Sequence, residues 1–149
     1  MKTLLVATDF SSNALNAAIY ATKMAKEIHA SIVLFHVTTL PVNFGEMPGV
    51  VLADDSLQEA NSLMESLIGQ LKIESMNMVS IQPLIKMGVF NAELQATCDV
   101  IKPYAVIMGT QGTSATERWM FGSHSLYAAR NLDWPFIGIP PGLTYRPVK

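Results

Sequence analysis

Leu4-Leu5-Val6-Ala7 is a continuous apolar run closed by Thr8-Asp9, and Ile32-Val33-Leu34-Phe35-His36-Val37 is a second such run. Between them the period changes. Ala14, Ala17, Ala18, Ala21, Met24, Ala25 and Ile28 recur at helical spacing and make one apolar face. Ser11 and Ser12 stand where hydroxyls can cap the first turn of that helix. A strand apolar at consecutive positions is one buried on both faces, which is the pattern of a parallel sheet sandwiched between helices. The alanine content lets the intervening helix lie close to that sheet.

The same alternation continues downstream. Thr38 to Ala53 has no regular pattern, being broken by Pro41, Gly45, Pro48 and Gly49. Ser56-Leu57-Gln58-Glu59 has capping-box spacing and predicts a helix start, with Leu57, Ala60, Met64, Leu67 and Leu71 as the buried stripe. Met78 to Lys86 reads as a third strand. Pro83 within it lacks the amide that a central ladder needs, so this strand is expected at a sheet edge. Val89 to Ile101 predicts a third helix stopped by Pro103, and Ala105-Val106-Ile107-Met108 a fourth buried strand entering Gly109. Ser123 to Asn131 predicts a short last helix, and Pro135 to Ile139 a last strand stopped by Pro140-Pro141. Strands separated by helices are joined by right-handed crossovers, giving a parallel sheet covered on both faces.

Composition narrows the function classes. The 149 residues suit one domain, and with half of them hydrophobic and 15% charged there is ample material for a core. A net charge of −2 argues against a protein that binds nucleic acid by neutralising phosphates. Mean hydropathy is positive, but the apolar heart of the longest uncharged stretch, Ile32 to Phe35, is far too short to span a bilayer. A lone cysteine, Cys98, forms no internal disulfide, which leaves the cytoplasm as the expected compartment.

In sheets of this type ligands settle outside the carboxyl ends of the strands, where neighbouring crossovers diverge. Thr8-Asp9, Val37-Thr38, Met87-Gly88 and the segment from Gly109 onward stand at those ends. Gly109 and Gly112, then nine residues, then Gly122-Ser123 at a predicted helix start form a split glycine loop. Glycine lets backbone amides approach an anion closely, and a helix start supplies unpaired amides, so phosphate is the natural guest. Ser123 adds a hydroxyl and His124 an amide. The plainer alternative is that Gly109 and Gly112 turn the chain and Gly122-Ser123 caps a helix. Asp9 likewise reads either as a ligand contact or as a capping carboxylate beside Ser11 and Ser12.

Gly109-x2-Gly112-x9-Gly122-Ser123 resembles the nucleotide loop of the universal stress protein family, on its ATP-binding branch. The resemblance extends over nearly the whole chain: Leu4 to Asp9 with its capped helix, the strand ending His36-Val37, the variable loop, Gly88 after the third strand, and the closing apolar strand. It implies an α/β fold of three layers, Rossmann-like and of the adenine nucleotide alpha hydrolase type. The sheet would be open, twisted, five-stranded and parallel, of order 3-2-1-4-5, with helices on both faces and residues 1–141 as a single domain. Strand three falls at an edge in that order, as Pro83 requires independently. By position, the resemblance implies Thr8 and Asp9 at the ribose or adenine end of the ligand, and the Val37 main chain at the adenine edge. Met87 and Gly88 would lie against the base. Gly109, Gly112, Gly122, Ser123 and the His124 amide would cradle ribose and phosphates. The implied ligand is ATP, or ADP or AMP, with magnesium accompanying the nucleotide; no catalytic residue and no protein metal ligand is assigned. The chain departs from the family pattern in having Thr113 after Gly112 where a basic residue is common. Arg118 is the sole cation between Gly112 and Gly122, Trp119 and Phe121 are unusually bulky, and Val89-Phe90 follow Gly88 where a proline is common.

Other motifs are missing. There is no GxxxxGK(S/T) phosphate loop, no GxGxxG fingerprint and no GxSxG elbow. His29, His36 and His124 lack ligand spacing, and His36 reads as a hydrogen-bonded core histidine. Cys98 reads as a small buried hydrophobe. The function expected is a nucleotide-binding, stress-signalling module acting through loop ordering and dimerisation, with slow ATP hydrolysis at most. The alternatives are an interaction protein that does not bind nucleotide and, ranked lower, an enzyme cleaving the α–β phosphate bond. Phe136, Ile137, Gly138 and Ile139 form an apolar edge strand without blocking charges, so a two-fold dimer through that edge is expected. The tail 142–149 is expected to extend away and would serve as a linker in a tandem arrangement; neither nucleic acid nor a membrane is an expected partner.

Overall fold

The computed structural model describes residues 1–38, 49–110 and 127–147. In chain order these form β1 (Thr3–Ala7), α1 (Ser12–Ile28), β2 (Ser31–Thr38), α2 (Gly49–Glu74), β3 (Ile81–Met87), α3 (Phe90–Ile101) and β4 (Ala105–Gly109). A helical segment follows at residues 127–131, called α4 here, and then β5 (Phe136–Ile139). The strands make one five-stranded sheet of order β3-β2-β1-β4-β5, every pairing parallel. Leu4 of β1 stands between Ile32 and Ala105, and Val6 between Leu34 and Ile107.

Alternation along the central strands sends their side chains into two cores. Leu4, Val6, Ile32, Leu34 and Ile107 pack against the alanines of α1 and against Met64, Leu67 and Leu71 of α2. Leu5, Ala7, Phe35, Val106 and Met108 pack against Leu94 and Cys98 of α3 and Ala128 of α4. This is why β1 and β4 read as unbroken apolar runs: each face of the sheet is a core face. Pro83 pairs with Leu34 on β3, the outermost strand on that side, where a missing amide breaks no ladder on the open edge.

Several boundaries differ from the sequence reading. α2 begins at Gly49, so Ser56 is helix interior and the capping-box reading of Ser56 to Glu59 is corrected. No proline or glycine stands between Gly49 and Ser56 to stop the helix, and Ser-x-x-Glu spacing also occurs along helix interiors. β3 starts at Ile81, three residues later than Met78, because left-handed Met76 and Asn77 still belong to the turn that leaves α2. Val89 caps α3 with its extended backbone and makes no side-chain capping bond. The predicted start of the last helix at Ser123 lies outside the described residues.

The tail does not extend away. After the turn at Gly142, Asn16 Nδ2 donates to the Leu143 carbonyl at 3.1 Å, and the Tyr145 ring meets the Tyr20 ring edge-on at 5.2 Å. Residues 143–145 therefore lie along α1. The cause is Leu143, whose amide bonds back to the Pro140 carbonyl at 3.2 Å and reverses the chain.

Candidate functional site

β1 ends in a turn held from four directions. The Thr8 amide donates to the Phe35 carbonyl at 2.9 Å, continuing the ladder one residue past the strand. Thr8 Oγ1 accepts from the Phe10 amide at 3.0 Å, and Asp9 Oδ1 accepts from the Ser11 amide at 2.9 Å. Ser11 Oγ then caps α1 by accepting from the Ala14 amide at 3.2 Å. The capping role thus belongs to Ser11, and Asp9 bonds the turn just before it.

Phe10 takes the left-handed conformation, φ 64°. A bulky side chain is rarely found there, and its cost of about 1–3 kcal/mol is borne only where the surroundings enforce it. Those surroundings are the core on which Phe10 packs and, from the next strand, His36. Its Nδ1 lies 2.7 Å from the Thr8 carbonyl, and its ring stands 4.4 Å from that of Phe10. A carbonyl only accepts, so Nδ1 carries the hydrogen. Burial lowers the pKa of His36 below its ordinary value of 6.5, opposed by the bond to Thr8 and by the Asp9 charge. The expected hydrogen bond of His36 is present, but the residue is half-buried rather than in the core, and its partner is the turn that ends β1.

Next to β1, β4 ends at Gly109. Because Val6 pairs with Ile107, Thr8 and Gly109 reach the carboxyl edge at the same height, one strand spacing of about 4.8 Å apart. The chain leaves β1 through α1 toward β2 on one side and leaves β4 toward α4 and β5 on the other, so this is where the crossovers diverge. Gly109 packs against the start of α1: a Cβ there would meet the Asn13 carbonyl oxygen at 3.0 Å. Thr110 stays tied to the sheet by its amide bond to the Ile139 carbonyl at 3.1 Å.

Thr8, Asp9 and Gly109 are therefore gathered at one crevice. Val37 is adjacent on β2, with its side chain packed into the core against α3. Met87 and Gly88 stand farther out, two strand spacings or about 10 Å from β1. Gly88 takes φ 145° and donates its amide to the Thr38 carbonyl at 3.0 Å. Gly112, Gly122, Ser123 and His124, with Arg118 and Trp119, lie outside the described residues.

Beside the turn is a recess of about 140 Å³, walled by Phe10, Leu15, Leu63 and Leu67, with Thr8, Ser66 and Gln70 as its polar members. Apolar walls with a few polar groups suit a flat heterocycle. Sequence reasoning missed Phe10 and the α2 wall. A left-handed residue with no glycine leaves no signal, and Leu67 reads only as helix core. A larger open cleft of about 690 Å³ lies at the opposite edge of the sheet and includes Lys2, His29, Lys102 and Tyr104. His29 and Lys102 there are the left-handed carboxyl caps of α1 and α3, their backbone amides donating to the Ala25 and Cys98 carbonyls, and Lys2 Nζ lies 5.3 Å over the Tyr104 ring.

Among the described residues no group of three His, Cys, Asp or Glu side chains is arranged to hold a metal ion, and no helix is long and apolar enough to cross a membrane. Cys98 is buried on the sheet-facing side of α3, and burial together with Asp99 pushes its thiol up to about 11.

No curated protein matches the sequence significantly. Solved structures match in fold. A universal stress protein, UspA, from Lactobacillus plantarum is 18% identical with a TM-score of 0.79, over 93% of this chain and 97% of that one. The universal stress protein from Archaeoglobus fulgidus in complex with dAMP is 16% identical with a TM-score of 0.66, over 93% and 97%. A family protein from Arabidopsis thaliana with AMP bound is 13% identical with a TM-score of 0.66, over 94% and 92%. The universal stress protein family model matches residues 1–140, and with the sheet order and the carboxyl-edge crevice already established, this chain belongs to the universal stress protein family.

Proposed function

We propose that the protein is an adenine-nucleotide binding module whose ligand, ATP or its di- or monophosphate, occupies the crevice between the ends of β1 and β4. The observation that carries this reading is the juxtaposition of the Thr8-Asp9 turn with Gly109 at the point where the crossovers diverge. Asp9 and Thr8 contact the ribose or the base, and the Val37 main chain, Met87 and Gly88 serve the base. Gly109, Gly112, Gly122, Ser123 and the His124 amide receive ribose and phosphates. The recess beside Phe10 fits this ligand chemically, offering apolar walls with Thr8, Ser66 and Gln70 for a polar heterocycle edge. The AMP and dAMP bound by the plant and archaeal structures lend it support. When magnesium accompanies the nucleotide it is held through the phosphates.

In this reading residues 1–141 are the functional domain, working in the cytoplasm, and nucleotide orders the segment between Gly109 and Gly122. That change is presented to a partner or to a second copy paired along β5. The test is to extract nucleotide from the purified protein and titrate ATP, ADP and AMP by calorimetry into it and into Gly122→Val. Binding that the substitution abolishes supports the proposal. No binding to either protein supports a nucleotide-independent interaction protein, and pyrophosphate release at an enzymic rate supports an α–β bond-cleaving enzyme.

A further inference from the structure

We propose that His36 is a positioning residue of the nucleotide site, holding the Thr8-Asp9-Phe10 turn in the shape that receives the ligand; this rests on the nucleotide reading above. His36 belongs to β2, and by register it stands beside Ile85 of β3 on one side and just past the end of β1 on the other. From there it reaches across to the neighbouring chain end. Nδ1–H closes on the Thr8 carbonyl at 2.7 Å, and the ring lies against Phe10 at 4.4 Å and 43°.

Thr8 and Phe10 flank Asp9, so His36 contacts the residue before it and the residue after it. The turn has no glycine, and Phe10 sits at φ 64°, a conformation its own side chain disfavours. The intraturn bonds, from the Phe10 amide to Thr8 Oγ1 and from the Ser11 amide to Asp9 Oδ1, are of a kind that also forms in other turns. The contacts from outside the turn that bear on both its ends are those of His36. Without its donor, the buried Thr8 carbonyl loses a hydrogen bond. Without its ring, the Phe10 side chain loses one neighbour and keeps its packing on the core. Loss of the donor frees the turn to relax, and the Asp9 carboxylate then leaves the geometry a ligand would need; the ring is the lesser support. In a binding site such loosening weakens affinity without removing any ligand contact.

The geometry identifies the conservative replacement. An asparagine at this position places its Nδ2–H where the imidazole carries Nδ1–H, restoring the bond to Thr8, whereas leucine keeps apolar bulk and offers no donor. The experiment titrates AMP and ATP by calorimetry into the wild type, His36→Asn and His36→Leu at one pH near 8, with urea unfolding of each as a control. The expected result is an affinity within about threefold of wild type for His36→Asn and weaker by about tenfold or more for His36→Leu, a loss of about 1.4 kcal/mol. Nitrogen-15 imidazole shifts of the wild type are expected to report the Nδ1–H tautomer. Wild type and both variants binding equally, or the Nε2–H tautomer, overturns the role of His36 while leaving the nucleotide reading intact. A wild type that binds neither nucleotide overturns the nucleotide reading itself. If His36→Leu fails to fold, the decision passes to His36→Ala, which also lacks the donor: affinity weaker by about tenfold beside a near-wild-type His36→Asn supports the role, and unchanged affinity contradicts it.

Discussion

A methyl group placed on Gly109 would stand 3.0 Å from the carbonyl oxygen of Asn13. The end of β4 and the first turn of α1 are therefore as close as two backbones can come without a side chain between them. A ligand role and a packing role for Gly109 are compatible, because the packing draws the two sides of the crevice together. Gly109→Val is expected to lower stability by about 1–3 kcal/mol through overpacking, read as a lower urea midpoint with an unchanged slope. An unchanged midpoint would show that the crevice is looser than described.

Gly88 illustrates the other use of glycine. Its φ of 145° is open only to a residue without a Cβ, and its amide bonds the Thr38 carbonyl across the sheet edge. Gly88→Ala is expected to cost about 1–3 kcal/mol of stability through backbone strain. The same urea titration checks it.

His36 gives stability a pH dependence of defined sign. Burial disfavours its charged form in the folded protein, so below its ordinary 6.5 the unfolded chain takes up a proton that the folded chain resists. The stability associated with neutral His36 is whole above 6.5 and is lost as the pH falls below it, by at most about 1.4 kcal/mol per pH unit. His36→Asn is expected to flatten that part of the profile between pH 7 and 5. An identical slope in the variant would assign the proton uptake elsewhere.

Cys98 is expected to be inert in the folded state. It is fully enclosed, and with its thiol pushed up to about 11 very little thiolate exists near neutral pH. Iodoacetamide at pH 8 is expected to leave the native mass unchanged and to alkylate the chain once in denaturant. Rapid native alkylation would mean that α3 opens readily from the sheet.

Along the outer edge of β5, Phe136, Ile137 and Gly138 are half-buried in the single chain, and the tail runs along α1. Light scattering is expected to report twice the chain mass of 16.3 kDa. A single-chain mass at every accessible concentration would contradict pairing through that edge.

The layer order, and with it the carboxyl-edge crevice between β1 and β4, was legible because it follows from local pattern. Continuous apolar runs marked the buried strands, alanines at helical spacing marked the close-packed α1, and Pro83 marked the edge. What sequence left hidden depends on groups brought together by folding. Phe10 adopts its left-handed turn against His36, a residue from the next strand, and nothing in Asp9-Phe10-Ser11 announces it. The early start of α2 was obscured because Gly49 reads as a loop residue, although it is the first residue of the helix, where glycine is tolerated. The docking of the tail was hidden for the same reason as Phe10: Asn16 and Tyr20 become its partners only once α1 is in place.

The most direct test of nucleotide binding at the β1–β4 crevice is an amide shift titration of the labelled protein with ATP. Thr8, Asp9, Gly109 and Thr110 are expected to move together and saturate on one curve, while Lys2, Ser31 and Ala105 at the far edge stay still. Saturating nucleotide that leaves those four amides unmoved, or that moves only the far edge, would contradict it.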